Sequence, residues 1–118
     1  MALGDDLFGV HEKALALRSQ RLGLLASNIA NASTPGFKAK DIDFASALSA
    51  AEQPGASMSQ AIEAATKYRV PLQPSLDGNT VELNTEQTKF AENAVAYQST
   101  LSFLNGRIQT LTRALKGE

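Results

Sequence analysis

The chain has 118 residues, a net charge of −1 and no cysteine, so it is one domain's worth of sequence with no disulfide or thiolate metal site. The charge balance lacks the basic surplus of a nucleic-acid binder, and no run of about 18 apolar residues is present to enter a membrane. Two Tyr, five Phe and no Trp are thin material for an independent core.

The chain opens with "MALGDDLFGVHEK", which is acidic and lacks the cationic start and compact apolar run of a cleavable signal peptide. A helix is predicted over about 5–32. Leu7, Val10, Ala14, Leu17 and Leu24 fall on one line and Phe8, Leu15, Leu22 and Ile29 on a second. Asp5, Asp6 and Glu12 come early and Arg18 and Arg21 later, as the helix dipole favours. The apolar positions cover more than half the circumference. The remaining arc is small (Gly9, Ala16, Ser19, Gly23, Ala26, Ser27, Ala30), whereas a monomer's surface helix usually has one stripe and a charged back. Such a helix is suited to being surrounded.

The stretch "LASNIANASTPGFKAKDIDF" ends that helix abruptly. Pro35 restricts Thr34 and Gly36 permits a turn that other residues resist. The chain can then leave at a fixed angle and lay 37–44, with Phe37 and Phe44 at its ends, along a neighbour as an extended arm. Asn28 projects on the apolar side near Leu24 and Leu17. It either selects a register at a cost in stability or caps the backbone locally. Asp41 and Asp43, two apart on the arm, are expected to share a face.

Residues 45–65 are rich in Ala, Ser and Gln, are broken by Pro54-Gly55, and are compatible with a short helix or with disorder. "YRVPLQPSLDGNTVEL" reads as extended, with Pro71 and Pro74 opposing helix and Asp77-Gly78 marking a tight turn. A second long helix is predicted over about 85–116, with Asn84 and Gln87 as a start cap. Phe90, Ala94, Tyr97, Leu101, Leu104, Ile108, Leu111 and Leu115 alternate in steps of four and three, a coiled-coil seam. Phe103 points away from that seam. The expected fold is mainly α and a single domain over 1–118. Long terminal helices pair as a coiled-coil-like bundle, and the middle, 33–84, is extended, turn-rich and partly disordered.

No catalytic constellation is present. His11 is the only histidine, which rules out a His cluster for metal. Asp41 and Asp43 could do acid–base work but lack a pocket-forming context and read as solvated or interface charges. Ser27 and Ser33 have no base in a recognisable motif. Asn31-Ala32-Ser33 matches a glycosylation sequon too short to be specific, and Asp77-Gly78-Asn79 falls short of an EF-hand loop. No cofactor, no metal and no enzymatic activity are expected.

The segment from Leu25 to Gly36, an apolar helix end followed by Ser-Asn-Ile-Ala-Asn and then Thr-Pro-Gly with an aromatic, resembles the N-terminal signature of bacterial flagellar rod and hook-type axial proteins. "KAKDIDF", "VPLQPSLDGNTVELNTE" and "FAENAVAYQSTLSFLNGRIQTLTRAL" are similar to rod members of that family, and the missing large middle domain fits a rod rather than a hook or filament. Ser33 and Phe37 stand where Asp and Tyr are the usual residues. The resemblance implies a structural subunit of the basal body, exported unprocessed through the flagellar type III apparatus and assembled in the periplasm through its terminal helices. Implied partners are further copies and other rod subunits, the adaptor joining rod to ring, and the membrane ring. Nucleic acid and membrane insertion are not implied. Read from these residues, the assembly interface comprises Leu17, Leu24, Asn28, Asn31, Pro35, Gly36, Phe37, Phe44, Phe90, Tyr97, Leu101, Phe103, Leu104 and Ile108. A soluble coiled-coil adaptor or export chaperone is the alternative; it needs the heptads but not the Thr-Pro-Gly arm.

Overall fold

The computed structural model describes residues 3–117, with side chains from residue 9 onward, so Leu7 and Phe8 of the predicted stripe lie outside the described side chains. The elements run α1 (Leu3–Ala30), β1 (Lys40–Ile42), α2 (Phe44–Ala51), α3 (Met58–Ala65), β2 (Thr66–Tyr68) and α4 (Leu83–Lys116). At 1.5 Å per residue, the 28 residues of α1 and the 34 of α4 make rods of about 40 and 50 Å, and the molecule measures 64 × 30 × 18 Å.

α1 and α4 pack antiparallel. His11 lies against Phe103 with ring centroids 4.5 Å apart, Asn93 Nδ2 donates to Arg18 O at 2.8 Å, and Asn28 meets Glu86. Leu25 of α1 and Leu104 of α4 are buried. The heptad expectation holds for its first part: Phe90, Ala94, Tyr97 and Leu101 are half-buried and Leu104 buried. It fails at Ile108, Leu111 and Leu115, which are 53%, 37% and 88% exposed. Length accounts for Leu115: α4 continues past Phe103 for more residues than α1 has before His11.

The middle of the chain folds back onto the C-terminal half of α1. Strands β1 and β2 pair antiparallel, Lys40 with Tyr68, Asp41 with Lys67 and Ile42 with Thr66. Where the sequence left a short helix or disorder open, two helices form. Asp43 caps α2 by accepting from Ser46 N, and Ser57 caps α3 by accepting from Gln60 N, the ordinary role of Asp and Ser at an N-terminus. Between them Gly55 adopts φ +75°, a left-handed turn that glycine accepts without strain. Leu17, Ile42, Ala47 and Ala65 form the buried cluster, flanked by Leu24, Phe44, Leu48, Met58 and Ile62. Ala47, Ala51, Ala61 and Ala65 are all at most 4% exposed. Small side chains at these positions let α2 and α3 approach closely, which explains how an Ala-rich stretch acquires a core.

Two termini differ from expectation. α4 begins at Leu83 with Glu82 at the N-cap, whose side chain makes no capping hydrogen bond, so Asn84 and Gln87 lie within the helix and do not form the predicted box. α1 ends at Ala30, before Thr34, so Pro35-Gly36 shape the next turn and do not stop the helix themselves.

Candidate functional site

The residues of the signature and those of "LDGNTVE" meet at the C-terminal end of α1. Asn31 N–H bonds the Ser27 and Asn28 carbonyls and Ala32 N–H bonds Ile29 O, which tightens the last turn. The carbonyls beyond it have no helical partner. Asn79, only 6% exposed, supplies one: its Nδ2 donates to Asn31 O at 2.9 Å, Ala32 O at 3.1 Å and Thr34 O at 2.8 Å. Its Oδ1 accepts from Val81 N at 2.7 Å, and its own N–H bonds Asp77 Oδ1 at 3.0 Å. A residue 48 positions downstream thus closes the end of α1.

Next comes the Thr-Pro-Gly turn. Phe37 N–H donates to Thr34 O at 3.2 Å, with Pro35 and Gly36 between them and Gly36 at φ +75°. That is the pattern of a type II turn, where Pro pre-sets the first central residue and glycine takes the positive φ of the second. Gly36 N–H bonds Asp77 O at 2.9 Å, Thr80 N–H bonds Phe37 O at 2.9 Å, and Ala39 N–H bonds Thr80 Oγ1 at 2.8 Å. Lys38 Nζ donates to Gly78 O at 2.6 Å. Gly78 also sits at φ +75°, with an added Cβ 3.7 Å from Gly36 Cα. The arm and the Asp77-Gly78 turn therefore hold each other.

One step further along the arm lies a charged cluster. Asn28, 1% exposed, uses both ends of its amide on the backbone of β1. Nδ2 donates to Lys40 O at 2.7 Å, and Lys40 N–H donates to Oδ1 at 3.2 Å. The side chain thus pairs with β1 as a neighbouring strand would. Nδ2 also donates to Glu86 Oε2 at 2.9 Å. Glu86, fully buried on α4, accepts from Arg69 Nε at 2.6 Å. Arg69 Nη2 reaches Asp41 Oδ2 at 2.9 Å, and Arg21 grips Asp41 in two parallel bonds of 2.7 and 2.8 Å. Burial alone would raise the Asp41 carboxyl, but the hydrogen bonds and charge of Arg21, the Ile42 N–H and Arg69 outweigh it and hold the carboxyl below its ordinary range. The Arg21 guanidinium is raised by its bond to Asp41, against burial. Two cations and two anions balance, and the cluster ties α1, β1, the chain after β2, and α4 together.

Beside it, the Arg18 guanidinium stacks 4.1 Å from the Phe44 ring centroid, a cation–π contact; burial, with Arg21 nearby, lowers its proton affinity.

These positions correct the expectation that Asp41 and Asp43 share a face. β1 ends at Ile42, so strand alternation does not carry to Asp43, which is an exposed helix cap, while Asp41 is fully engaged with two arginines. Asn28 is backbone-bonded, although its backbone partner is the distant strand β1 and not its own helix. Of the residues assigned to an interface, Leu17, Asn28 and Leu104 are enclosed by this chain's own elements, and Leu24, Asn31, Phe37, Phe44, Phe90, Tyr97 and Leu101 are half-buried. Pro35, Gly36 and Ile108 face outward, whereas Phe103, expected to point away from the seam, is half-exposed but lies against His11 of α1. Sequence reading missed Asn79, Glu86 and Arg69. Each is polar at a place where local pattern reads as turn, helix face or arm, and only the long-range contacts give it a role. Among the described residues no group of acids or histidines is arranged to hold a metal ion, and no helix is long and apolar enough to cross a membrane.

Residues 8–38, the α1 helix and the signature, match the family described as flagella basal body rod protein. The chain is 46% identical to the flagellar basal body rod protein FlgB of Aeromonas hydrophila, over 97% of this chain and 96% of that one. It is 49% identical to FlgB of Cereibacter sphaeroides, over 96% of each. To FlgB of Escherichia coli K12 it is 42% identical over 95% of this chain and 94% of the relative. Such identity, sustained from end to end and spanning both halves of the α1–arm–α4 junction, means that the chain belongs to the FlgB family of flagellar basal body rod proteins.

Proposed function

We propose that this chain is a structural subunit of the flagellar rod that polymerises through the outward faces of its paired terminal helices, and that it carries out no catalysis. The observation that supports this reading most directly is on α4. Val95, Phe103, Ile108 and Leu115 stand 67%, 47%, 53% and 88% exposed on a helix with no charged residue between Glu92 and Arg107. A helix meant to face water carries charge on its free side. Here the junction of Asn28, Asp41, Arg69 and Glu86 ties the helix pair together while leaving these apolar side chains, spread around α4, uncovered. The Thr-Pro-Gly turn with Pro35 and Gly36, and the outward part of Phe37, add a second surface beside the end of α1.

In this reading the neighbours are copies of the chain, other rod subunits, the rod-to-ring adaptor and the membrane ring. The site of assembly is the periplasm, reached by flagellar export without a cleaved signal peptide. The test is complementation of a strain lacking its own member of this family. The wild-type chain restores swimming and is recovered in purified basal bodies with an intact N-terminus by mass spectrometry. Recovery in the soluble fraction alone, beside unassembled subunits, would favour a chaperone or adaptor instead.

A further inference from the structure

The long axis of the molecule ends in two apolar surfaces of different make. Beside the start of α4 lies the segment 70–76, in which Val70, Leu72 and Leu76 are 84%, 86% and 111% exposed. It is not a loose loop. Arg69 N–H bonds Ala39 O at 2.8 Å while its guanidinium is locked on Asp41 and Glu86. Leu72 N–H bonds Glu82 Oε1 at 3.1 Å, and Asp77 O is held by Gly36 N–H. Pro71 and Pro74 restrict the backbone between these anchors. A strap pinned at both ends and in its middle, with its large side chains outward, has already lost the conformational freedom that binding would otherwise remove. Between the strap and the first turn of α4 runs a cleft of about 430 Å³, lined by Leu72, Glu82 and Leu83 among others.

At the opposite end, α4 overhangs. Ile108, Leu111 and Leu115 repeat at i, i+3 and i+7, the spacing of a helix that docks its apolar face into a groove. Past Glu92 the helix carries Arg107, Arg113 and Lys116 and no acid. The strap is flanked by the carboxylates of Asp77 and Glu82, with Lys38 engaged on Gly78 O.

We infer that these two surfaces are halves of one contact: the last turns of α4 from one copy seat on the 70–76 strap of a second copy, joining copies head to tail. This rests on the reading of the chain as an assembling subunit and names the partner of one of its surfaces. Apolar meets apolar and basic meets acidic, whereas two α4 ends set together would oppose like charges. A contact between different patches leaves one patch free on each end copy, so further copies can add until a ring closes or, if the rotation does not close, as an open filament.

Mixing separates this arrangement from a symmetric one. Leu72→Asp/Leu76→Asp disables the strap and Leu111→Asp/Leu115→Asp disables the helix end; all four positions are exposed, and circular dichroism verifies that both variants keep their helices. In sedimentation velocity the wild-type chain associates further as concentration rises, and each variant alone weakens association at least tenfold. The two variants mixed form a 1:1 dimer that grows no further, because the intact helix end of the strap variant fills the intact strap of the other. Association of the strap variant alone at the wild-type level overturns the proposal, as does a mixture that remains monomeric. In cells, normal swimming by the strap variant removes this contact and leaves the rod reading intact. Failure of the wild-type chain to restore swimming removes the rod reading, with the mixing result unaffected.

Discussion

Asn28→Leu sets two physical arguments against each other. Leucine has the higher helix propensity by a few tenths of a kcal/mol and would extend the apolar face beside Leu24. Against that stand three bonds: 2.7 Å to Lys40 O, 2.9 Å to Glu86 Oε2 and 3.2 Å from Lys40 N–H. The bond to the ionised, buried Glu86 is worth about 1.5–3 kcal/mol, and each of the partly buried bonds to Lys40 about 0.5–1.5 kcal/mol. Glu86 keeps Arg69, so its charge is not abandoned. Net of the gain in propensity, the variant loses about 2–5 kcal/mol, a large share of the roughly 5–15 kcal/mol that folds a domain. For a chain of this size the melting temperature falls by roughly 10–25 °C. The assay is urea and thermal unfolding of the purified chain followed by circular dichroism, at a concentration low enough to keep it monomeric. Hydrogen exchange at the amides of β1 serves as the local readout: Lys40 loses protection first. A midpoint equal to or above wild type, with β1 still protected, would refute the argument and reduce Asn28 to a solvated polar residue on a sticky helix.

The Asp41 carboxyl is held below its ordinary range, so its contribution is complete above about pH 4, the unfolded value, and is lost as pH falls through the folded value. The urea midpoint should therefore drop steeply below pH 4 in wild type. Asp41→Asn should show a flatter slope there and be about 1–3 kcal/mol less stable at neutral pH, since Arg21 and Arg69 are left partly buried without it; equal acid slopes would show that other carboxylates control the transition. Asn79→Ala removes the side-chain donor shared by three carbonyls after α1, of which Asn31 O and Thr34 O keep backbone donors, and should cost about 1–3 kcal/mol, with exchange at Val81 N–H rising; an unchanged midpoint means water replaces the amide freely. Gly36→Ala forces a side chain into φ +75° at about 1–2 kcal/mol, measurable by equilibrium unfolding, even though no neighbour stands within 4 Å of the new Cβ. Leu104→Asp, at a 7% exposed position, should unfold part of the isolated chain. Phe103→Ser, half-exposed against His11, should leave its melt within about 1 kcal/mol and reduce self-association; the reverse order would place Phe103 in the core.

Much of the fold is a local matter, and there the amino-acid order suffices. Apolar spacing places both long helices. Asp77-Gly78 and Thr34-Pro35-Gly36 dictate turns because only glycine takes a positive φ cheaply, and Leu17 and Leu104 advertise themselves as buried by periodicity. The signature carries family membership for the same reason: its residues are close in sequence and their order is the message. What the sequence could not settle depends on distance. Heptads are indifferent to where a partner ends, so Leu115 looks like seam until α1 runs out beside it, and nothing in the spacing marks Ile108 and Leu111 as exposed. The alanines of 45–65 have too little apolar area to announce helices. They fold because Leu17 and Ile42 offer a surface on which small side chains pack closely. Asp41 and Asp43 are equivalent on an extended arm and become a buried ion-pair member and an exposed cap once β1 stops between them. Asn79, Glu86 and Arg69 are ordinary polar residues by any local measure. Each is made structural by a hydrogen-bond partner between 17 and 58 positions away, and a bond of that reach exists only after the chain has closed.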